Sequence, residues 1–528
     1  VKTTTQISLH ISILWILFIW IEIPLIGQSI FDTSIVHRLE LEVLQPGWRD
    51  SLIHFKENGI NKRIKANISI DGKKWNDVGI RYKGHSSYFN FAKEELSKLP
   101  FNVDANFISK DQSFEDGIKK IKLSNNYRDL SYVREVLAGQ IVGTYLPVPK
   151  MAFAEVFVND VYLGLYTMIE SIDGPFLERS FEQRGGVLFK CDPDWHAINE
   201  IGCAISDKSS LEYLGENVEC YQKWYELKSK NGWDDLITLT RVLEKEPDQI
   251  ETVLDVYSTL WMHALNNTLV NLDSYSGALC HNYYLFKSKN GVFTPLMWDL
   301  NLSFGGFQSP GHVPKIAHED LNHVSPYLHI KDPHPSRPLI NQLMSQSLYR
   351  KIYVFMIRTI IADYFENDVY LNRANQLHSL IADAVQSEDN RAYSFEAFQM
   401  SITTTVANGT QQLIGISELM TARTEYLLQH PTLQKDFPEV VSDIIDLQSD
   451  DYHIDLITKD VSEAWIYYRN SPLSSFNKMK MENRAADSWY VSLPKAVIKE
   501  YFFVMENVRA AGIYPNHAPK VCLKIFGQ

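Results

Sequence analysis

Cysteine is scarce. Five in a chain of 528 residues argue against a fold built from disulfides. None of Cys191, Cys203, Cys220, Cys280 and Cys522 stands at zinc-finger spacing, which argues against thiolate metal binding. Cys203 and Cys220 share one polar insertion and are open to bridging in an oxidising compartment. Basic blocks are missing too. With 51 Lys+Arg against 64 Asp+Glu the formal charge is −13, and no Lys/Arg run offsets it, so a surface that coats nucleic acid is not expected. Gly (25) and Pro (21) are too few for a collagen-like or low-complexity chain, and 45% apolar residues suffice for a large core. At roughly 100–200 residues per domain, the length allows two to four domains. Internal repeats are not detected. Aromatic residues are plentiful at 12%, so ring packing must carry part of that core.

Residues 1–29 hold one basic residue, Lys2, and a nearly unbroken apolar run over 11–21 that Glu22 and Pro24 interrupt before Gly27-Gln28-Ser29. This pattern predicts a secretory leader, with the mature chain beginning near Ile30 and working outside the cytoplasm. The run is shorter than the ~20 residues of a comfortable membrane span, and an uncleaved anchor is the alternative. Membrane contact is expected only in transit.

Downstream, period-2 patterns predict strands over 64–70, 78–82, 152–158 and 162–169, the last two joined by the turn Asn159-Asp160. A helix is expected over 129–142 with Asp129 as its N-cap. Helical spacing then predicts 233–245, 250–269 and much of 339–430, around a hairpin of 282–287 and 292–297 whose turn contains Asn290-Gly291. Short runs over 464–468, 478–481, 489–493 and 501–505, separated by turn residues, read as a small β-sandwich. The plan is a β-rich lobe, an α-rich lobe, and a β module.

Chemistry-bearing residues fall in a consistent order along that plan. Lys83-Gly84-His85-Ser86-Ser87 is a small-residue turn whose N–H groups suit phosphate oxygens, although it is neither a Walker A string nor GxGxxG. Lys98 is taken as the lysine that pairs with phosphates, with Lys120 and Lys122 as alternatives and Glu135 as its orienting carboxylate. Asp273 follows the long helix, Asn282 opens the hairpin, and Asp299 closes it before Gly305-Gly306. Phosphoryl transfer to a hydroxyl needs a proton acceptor and oxygen ligands for Mg²⁺, and this Asp, Asn, Asp order supplies both. No His-Arg-Asp and no contiguous Asp-Phe-Gly accompanies it.

The strings KGHSSY, GIKKIKLSNNYRD, VREVLAGQIV, VFVNDVYLGLYTMIESID, LFKCD, NLDSY, NYYLF and MWDLNLSFGG resemble the CotH family of atypical protein kinases over roughly 37–430. The trailing segment is similar to the immunoglobulin-like module that follows such domains in secreted bacterial versions. The resemblance implies an α+β, two-lobed, protein-kinase-like fold over 30–430 and a sandwich over 431–528. It further implies transfer of phosphate from ATP to Ser or Thr of a protein, with Mg²⁺ or Mn²⁺. On this reading Asp273 is the catalytic carboxylate, and Asn282 and Asp299 hold the metal. Lys83, Gly84, Ser86 and Ser87 lie over the phosphates, Trp298 stacks on adenine, and Glu170 falls in the hinge. One departure is Asn301, where many relatives carry an acid, which implies weaker metal binding or activity.

Two other functions compete. A surface adhesin or scaffold on the same fold, with little catalysis, fits the aromatic content and the β module, but has no need of Asp273, Asn282 and Asp299 together. A carbohydrate-active enzyme would require a carboxylate pair facing a sugar groove and ranks last.

Overall fold

The computed structural model describes residues 29–525 apart from 94–97, 196, 198–201, 205, 312–313, 331–336, 390, 392 and 409–410, so the expected leader lies outside the described residues except for Ser29. Seven strands close a barrel: β1 (Val36–Glu42), β2 (Ile64–Ile70), β3 (Lys73–Tyr82), β4 (Phe101–Asp104), β5 (Lys120–Ser124), β6 (Met151–Val158) and β7 (Val161–Glu170). The order is β1-β2-β3-β4-β5-β7-β6, and β6 returns parallel to β1. Alternation fills the interior: Ile64, Ala66, Ile68 and Ile70 of β2 and Ile121 and Leu123 of β5 enter the barrel core.

Strands β6 and β7 read as almost continuously apolar because both their faces are covered. Ala152, Ala154, Val156, Tyr166 and Met168 point into the barrel. Met151, Phe153, Leu165 and Ile169 face outward, into the cluster that holds Val136, Leu137, Ile141 and Val142 of the helix Arg134–Tyr145. Asn159 and Asp160, both at positive φ, turn β6 into β7 as expected of a tight hairpin.

The same helix begins later than the sequence suggests. Asp129 does cap, but across a bend: its carboxylate accepts from the Ser131 and Arg134 main-chain N–H groups at 3.0 Å each and from the Arg134 guanidinium at 2.9 Å. The expected helix 250–269 is likewise broken, into a 3₁₀ segment Pro247–Thr252 and an α-helix Val256–Thr268. Asp255 explains the break, since its carboxylate accepts from Ser258 N at 3.0 Å while Leu254 forms a β-bridge with Phe293.

A second sheet, ordered β11-β10-β8-β9, contains β8 (Val187–Cys191), β9 (Glu226–Leu227), β10 (Tyr283–Lys287) and β11 (Phe293–Met297). Helix Trp233–Lys245 lies where it is expected, and Cys203 and Cys220 are joined in a disulfide. Helices Pro338–Ser345, Ser347–Ile360, Val369–Gln386 and Ile416–Gln429 dominate the following segment, which also holds a small unexpected hairpin of Val406–Asn408 and Gln411–Leu413.

The last strands form two sheets. One pairs Glu439–Gln448, Asp451–Lys459, Ser488–Pro494 and Glu482–Ala485, and the other is centred on Glu463–Arg469 and Glu500–Glu506. Ile454, Leu456, Ile466, Val491 and Phe503 fill the space between them. Tyr467, Phe502, Val504 and Ile513 turn outward and join the helical core, where Trp261 donates its indole N–H to Ala518 O at 2.8 Å. The chain is therefore a mixed α+β protein whose terminal sheets lean on its helices. Among the described residues no helix is long and apolar enough to cross a membrane.

Candidate active site

The β10–β11 hairpin positions the central residues. Tyr283 pairs with Met297, and one step further Trp298 N donates to Asn282 O at 3.1 Å, so Asn282 and Asp299 flank the open end of one ladder. Both sit in the left-handed region, at φ 59° and 56°, which Asn and Asp tolerate better than most residues. Such strain persists only where the surroundings hold it. For Asn282 they do: its Nδ2 donates to the main-chain O of Asp273 at 2.9 Å and to its Oδ2 at 3.2 Å. Asp273 Oδ1 lies 3.0 Å from His281 Nε2, and Nδ1 of the same ring lies 3.3 Å from Asp192 Oδ1. Asp192 is in turn ion-paired with Lys190.

Burial lowers the basicity of the His281 ring, but hydrogen bonds to Asp192 and Asp273 and their charges outweigh it and raise its pKa to about 9. An imidazolium at neutral pH thus donates from both nitrogens, one to each carboxylate.

Opposite lies the barrel. Lys122 is on the outward face of β5, between inward-facing Ile121 and Leu123, and its ammonium sits 3.8 Å from the centre of the Trp298 ring. Burial and the nearby Lys83, Lys190 and Lys228 ammoniums push its pKa well down, against the pull of Asp299. Glu135, at the start of the helix Arg134–Tyr145, is pushed up to about 8 by burial and by Asp299, while Lys83 and Lys122 oppose the shift. Burial also raises Asp299, Lys83 counteracting. Among the described residues neither Lys83 nor Lys122 has a carboxylate within ion-pair distance, and Glu135 Oε2 and Asn301 Oδ1 are buried without a hydrogen-bond partner. The cleft therefore gathers basic side chains, carboxyl groups that burial makes harder to ionise, and unsatisfied oxygens, an arrangement that a polyanion and a cation together would compensate.

Several expectations change. Lys98 does not join this group: its ammonium is bonded to Glu388 at 2.7 Å, with both side chains almost wholly buried, and lies 4.6 Å from the Tyr132 ring centre. Glu388 Oε2 also takes Leu165 N at 3.1 Å, and a Cβ on Gly164 would stand 2.6 Å from the Glu388 carboxyl carbon. Of Lys98, Lys120 and Lys122, it is Lys122 that interacts with Glu135 and Asp299, beside Lys83. Lys120 lies 4.0 Å from Asp104. One face of the Trp298 ring, the side chain expected to stack on adenine, carries the Lys122 ammonium. Lys83 and Gly84 form a turn that opens the short helix Ser86–Lys93, and at Gly84 (φ +77°) a Cβ would meet Ser87 Oγ at 2.2 Å. Glu170 ends β7, where its carboxylate accepts Lys150 N at 3.0 Å and pairs with Arg179. Its bonds tie the barrel to the helix Gly174–Phe181 that leads to β8.

Sequence reasoning missed the partnership of His281 with Asp192 and Lys190. Two signals were available: His281 adjoins Asn282, and Lys190 and Asp192 alternate with Cys191 across the end of β8. A residue's neighbour in sequence points the opposite way along a strand, but Asp192 and His281–Asn282 lie beyond the last pair, Tyr283 with Cys191.

No group of three His, Cys, Asp or Glu able to hold a metal ion occurs among the described residues. Asn282 and Asp299 are a two-residue oxygen set, and Mg²⁺ commonly takes one or two protein oxygens with water and phosphate completing its shell. With Nδ2 of Asn282 engaged by Asp273, the amide presents Oδ1, the atom a cation would need. The donor set fits Mg²⁺.

The profile of the family described as CotH kinase protein matches residues 80–427. The chain belongs to that family. It is 26% identical over 251 residues to the inner spore coat protein H of Bacillus subtilis (strain 168), an alignment that covers 46% of this chain and 62% of that protein. The match thus spans less than two thirds of the relative's length.

Proposed function

We propose that the protein is an atypical Ser/Thr protein kinase, working outside the cytoplasm, that transfers the terminal phosphate of ATP to protein hydroxyls. The barrel would be the N-terminal lobe and the helices the C-terminal lobe of a protein-kinase-like unit over 30–430, with an immunoglobulin-like sandwich over 431–528 leaning on it. Membership of the CotH kinase family supports the class. The predicted leader, and the coat location in the relative's name, support an extracellular or surface position.

The observation that carries the reading is the convergence on Asp299 of Asp273 and Asn282 from one side and of Lys83 and Lys122, without ion-pair partners among the described residues, from the other. Lys83 and Lys122 would hold phosphate oxygens, relieving their mutual repulsion. Asn282 and Asp299 would hold Mg²⁺, which when bound supplies charge neutralisation for the phosphates. Asp273, with lone pairs left beyond its two hydrogen bonds, orients the acceptor hydroxyl and takes its proton. Glu135, which holds its proton up to about pH 8, would stand beside Lys122 and Asp299 as a neutral carboxyl group.

The test is label transfer from radiolabelled ATP to casein or to the protein itself, with Mg²⁺ or Mn²⁺. Wild type incorporates label, and Asp273→Ala or Asp299→Ala each lowers the rate at least about 100-fold. Wild type that transfers nothing and gains no thermal stability from Mg²⁺ and ATP would favour the adhesin reading.

A further inference from the structure

We propose that His281, held by Asp192 and Lys190, is a positioning residue that fixes the Asp273 carboxylate for proton acceptance. The inference rests on the kinase reading and adds to it a device built from the insertion side of the sheet.

Asp273 is a loop residue, and its side chain has two torsions to lose. Asn282 restrains one oxygen at 3.2 Å, a long bond that alone would leave the carboxylate free to rock. His281 restrains the other at 3.0 Å. The ring is itself oriented from behind by Asp192 Oδ1 at 3.3 Å, and Asp192 is anchored by Lys190 on the end of β8. Register sets these together: Tyr283 pairs with Cys191, so Asp192 and His281–Asn282 leave the two adjacent strands at the same end. His281, Asp273 and Asn282 are each 8–9% exposed, so water competes weakly for their bonds. The line Lys190, Asp192, His281, Asp273 is a continuous chain of polar contacts and ends on the group that would meet the substrate. A misplacement of about 1 Å at such a group slows a reaction on the order of 100-fold. Lys190 of that line lies near Lys122, but His281 bonds Asp192 and Asp273, so its replacement leaves Lys83, Lys122 and Lys190 in place and nucleotide affinity is separable from it.

The test compares His281→Asn and His281→Gln in the full chain, measuring kcat, KM for ATP and thermal midpoint. Asn reproduces the reach of Nδ1 and keeps only the Asp192 bond, whereas Gln reproduces the reach of Nε2 and keeps only the Asp273 bond. The Asn variant is expected to lose about 100-fold in kcat with KM for ATP within twofold, and the Gln variant to recover at least tenfold of that. Equal kcat in the two variants, or a KM for ATP that rises in step with the loss of kcat, overturns the assignment. If the Asn variant fails to fold, Asp192→Asn serves: a several-fold fall in kcat at constant KM supports the device, and an unchanged kcat refutes it. Wild type inactive with every acceptor removes the kinase reading itself, and the inference with it.

Discussion

Replacing Lys98 with methionine keeps most of the side-chain volume and removes one charge from a pair that is almost fully buried. Glu388 is then left with a single hydrogen bond, from Leu165 N at 3.1 Å, and no cation among the described residues within ion-pair distance. Breaking one partner of a buried pair costs about 3–5 kcal/mol because the remaining charge is uncompensated. For a cooperative unit of a few hundred residues, that corresponds to a fall in thermal midpoint of roughly 5–10 °C. Adding Glu388→Gln removes the stranded charge and should restore much of the loss, giving a coupling of about 1–3 kcal/mol in a double-mutant cycle. Because the pair lies away from Asp273 and Asp299, phosphate transfer measured well below the midpoint should stay within a few-fold of wild type. Differential scanning fluorimetry and label transfer on the same preparations decide it. A Lys98→Met protein that melts like wild type refutes the structural role, and one that melts like wild type yet transfers nothing returns Lys98 to the site.

Lys122→Met makes the contrasting case: it removes an unpaired ammonium, so the thermal midpoint should hold or rise while affinity for Mg²⁺-ATP, read by calorimetry, falls about tenfold or more. Glu135 binds its proton up to about pH 8 in the folded protein against 4.5 for the ordinary group, so its contribution to stability falls as pH rises between those values. Glu135→Gln should therefore match wild type near pH 4.5 and melt increasingly above it toward pH 8; a gap that does not widen with pH contradicts this. Cys203→Ser opens a loop spanning 17 residues of sequence separation and should cost about 3 kcal/mol in non-reducing buffer, the difference vanishing once the wild type is reduced.

Much of the fold was legible because its signals are local. The alternation of 64–70 and the Asn290-Gly291 turn each specify a strand or hairpin without reference to distant residues. The breaks were harder. Asp129 is legible as a cap, whereas the expected helix 250–269 breaks at Asp255, whose cap on Ser258 N goes with a bridge from Leu254 to Phe293, a contact no window of sequence contains. The hairpin that carries Asn282 and Asp299 brought those two together as its register requires. Choosing among Lys98, Lys120 and Lys122 was a different kind of question. Period-2 reasoning puts Lys122 outside the barrel, yet which outer face meets the helices depends on how seven strands close, and the partner of Lys98 stands 290 residues away. The roles of β6 and β7 likewise emerge only once helix Arg134–Tyr145 covers them.

The proposed cation site lies between Asn282 and Asp299, opposite Lys122. A crystal structure with Mn²⁺ and a non-hydrolysable ATP analogue, read by anomalous scattering, addresses it directly. The account predicts a Mn²⁺ peak at about 2.0–2.2 Å from both Asn282 Oδ1 and the Asp299 carboxylate, with phosphate oxygens on the same ion. A nucleotide bound elsewhere, or a metal touching neither side chain, contradicts it.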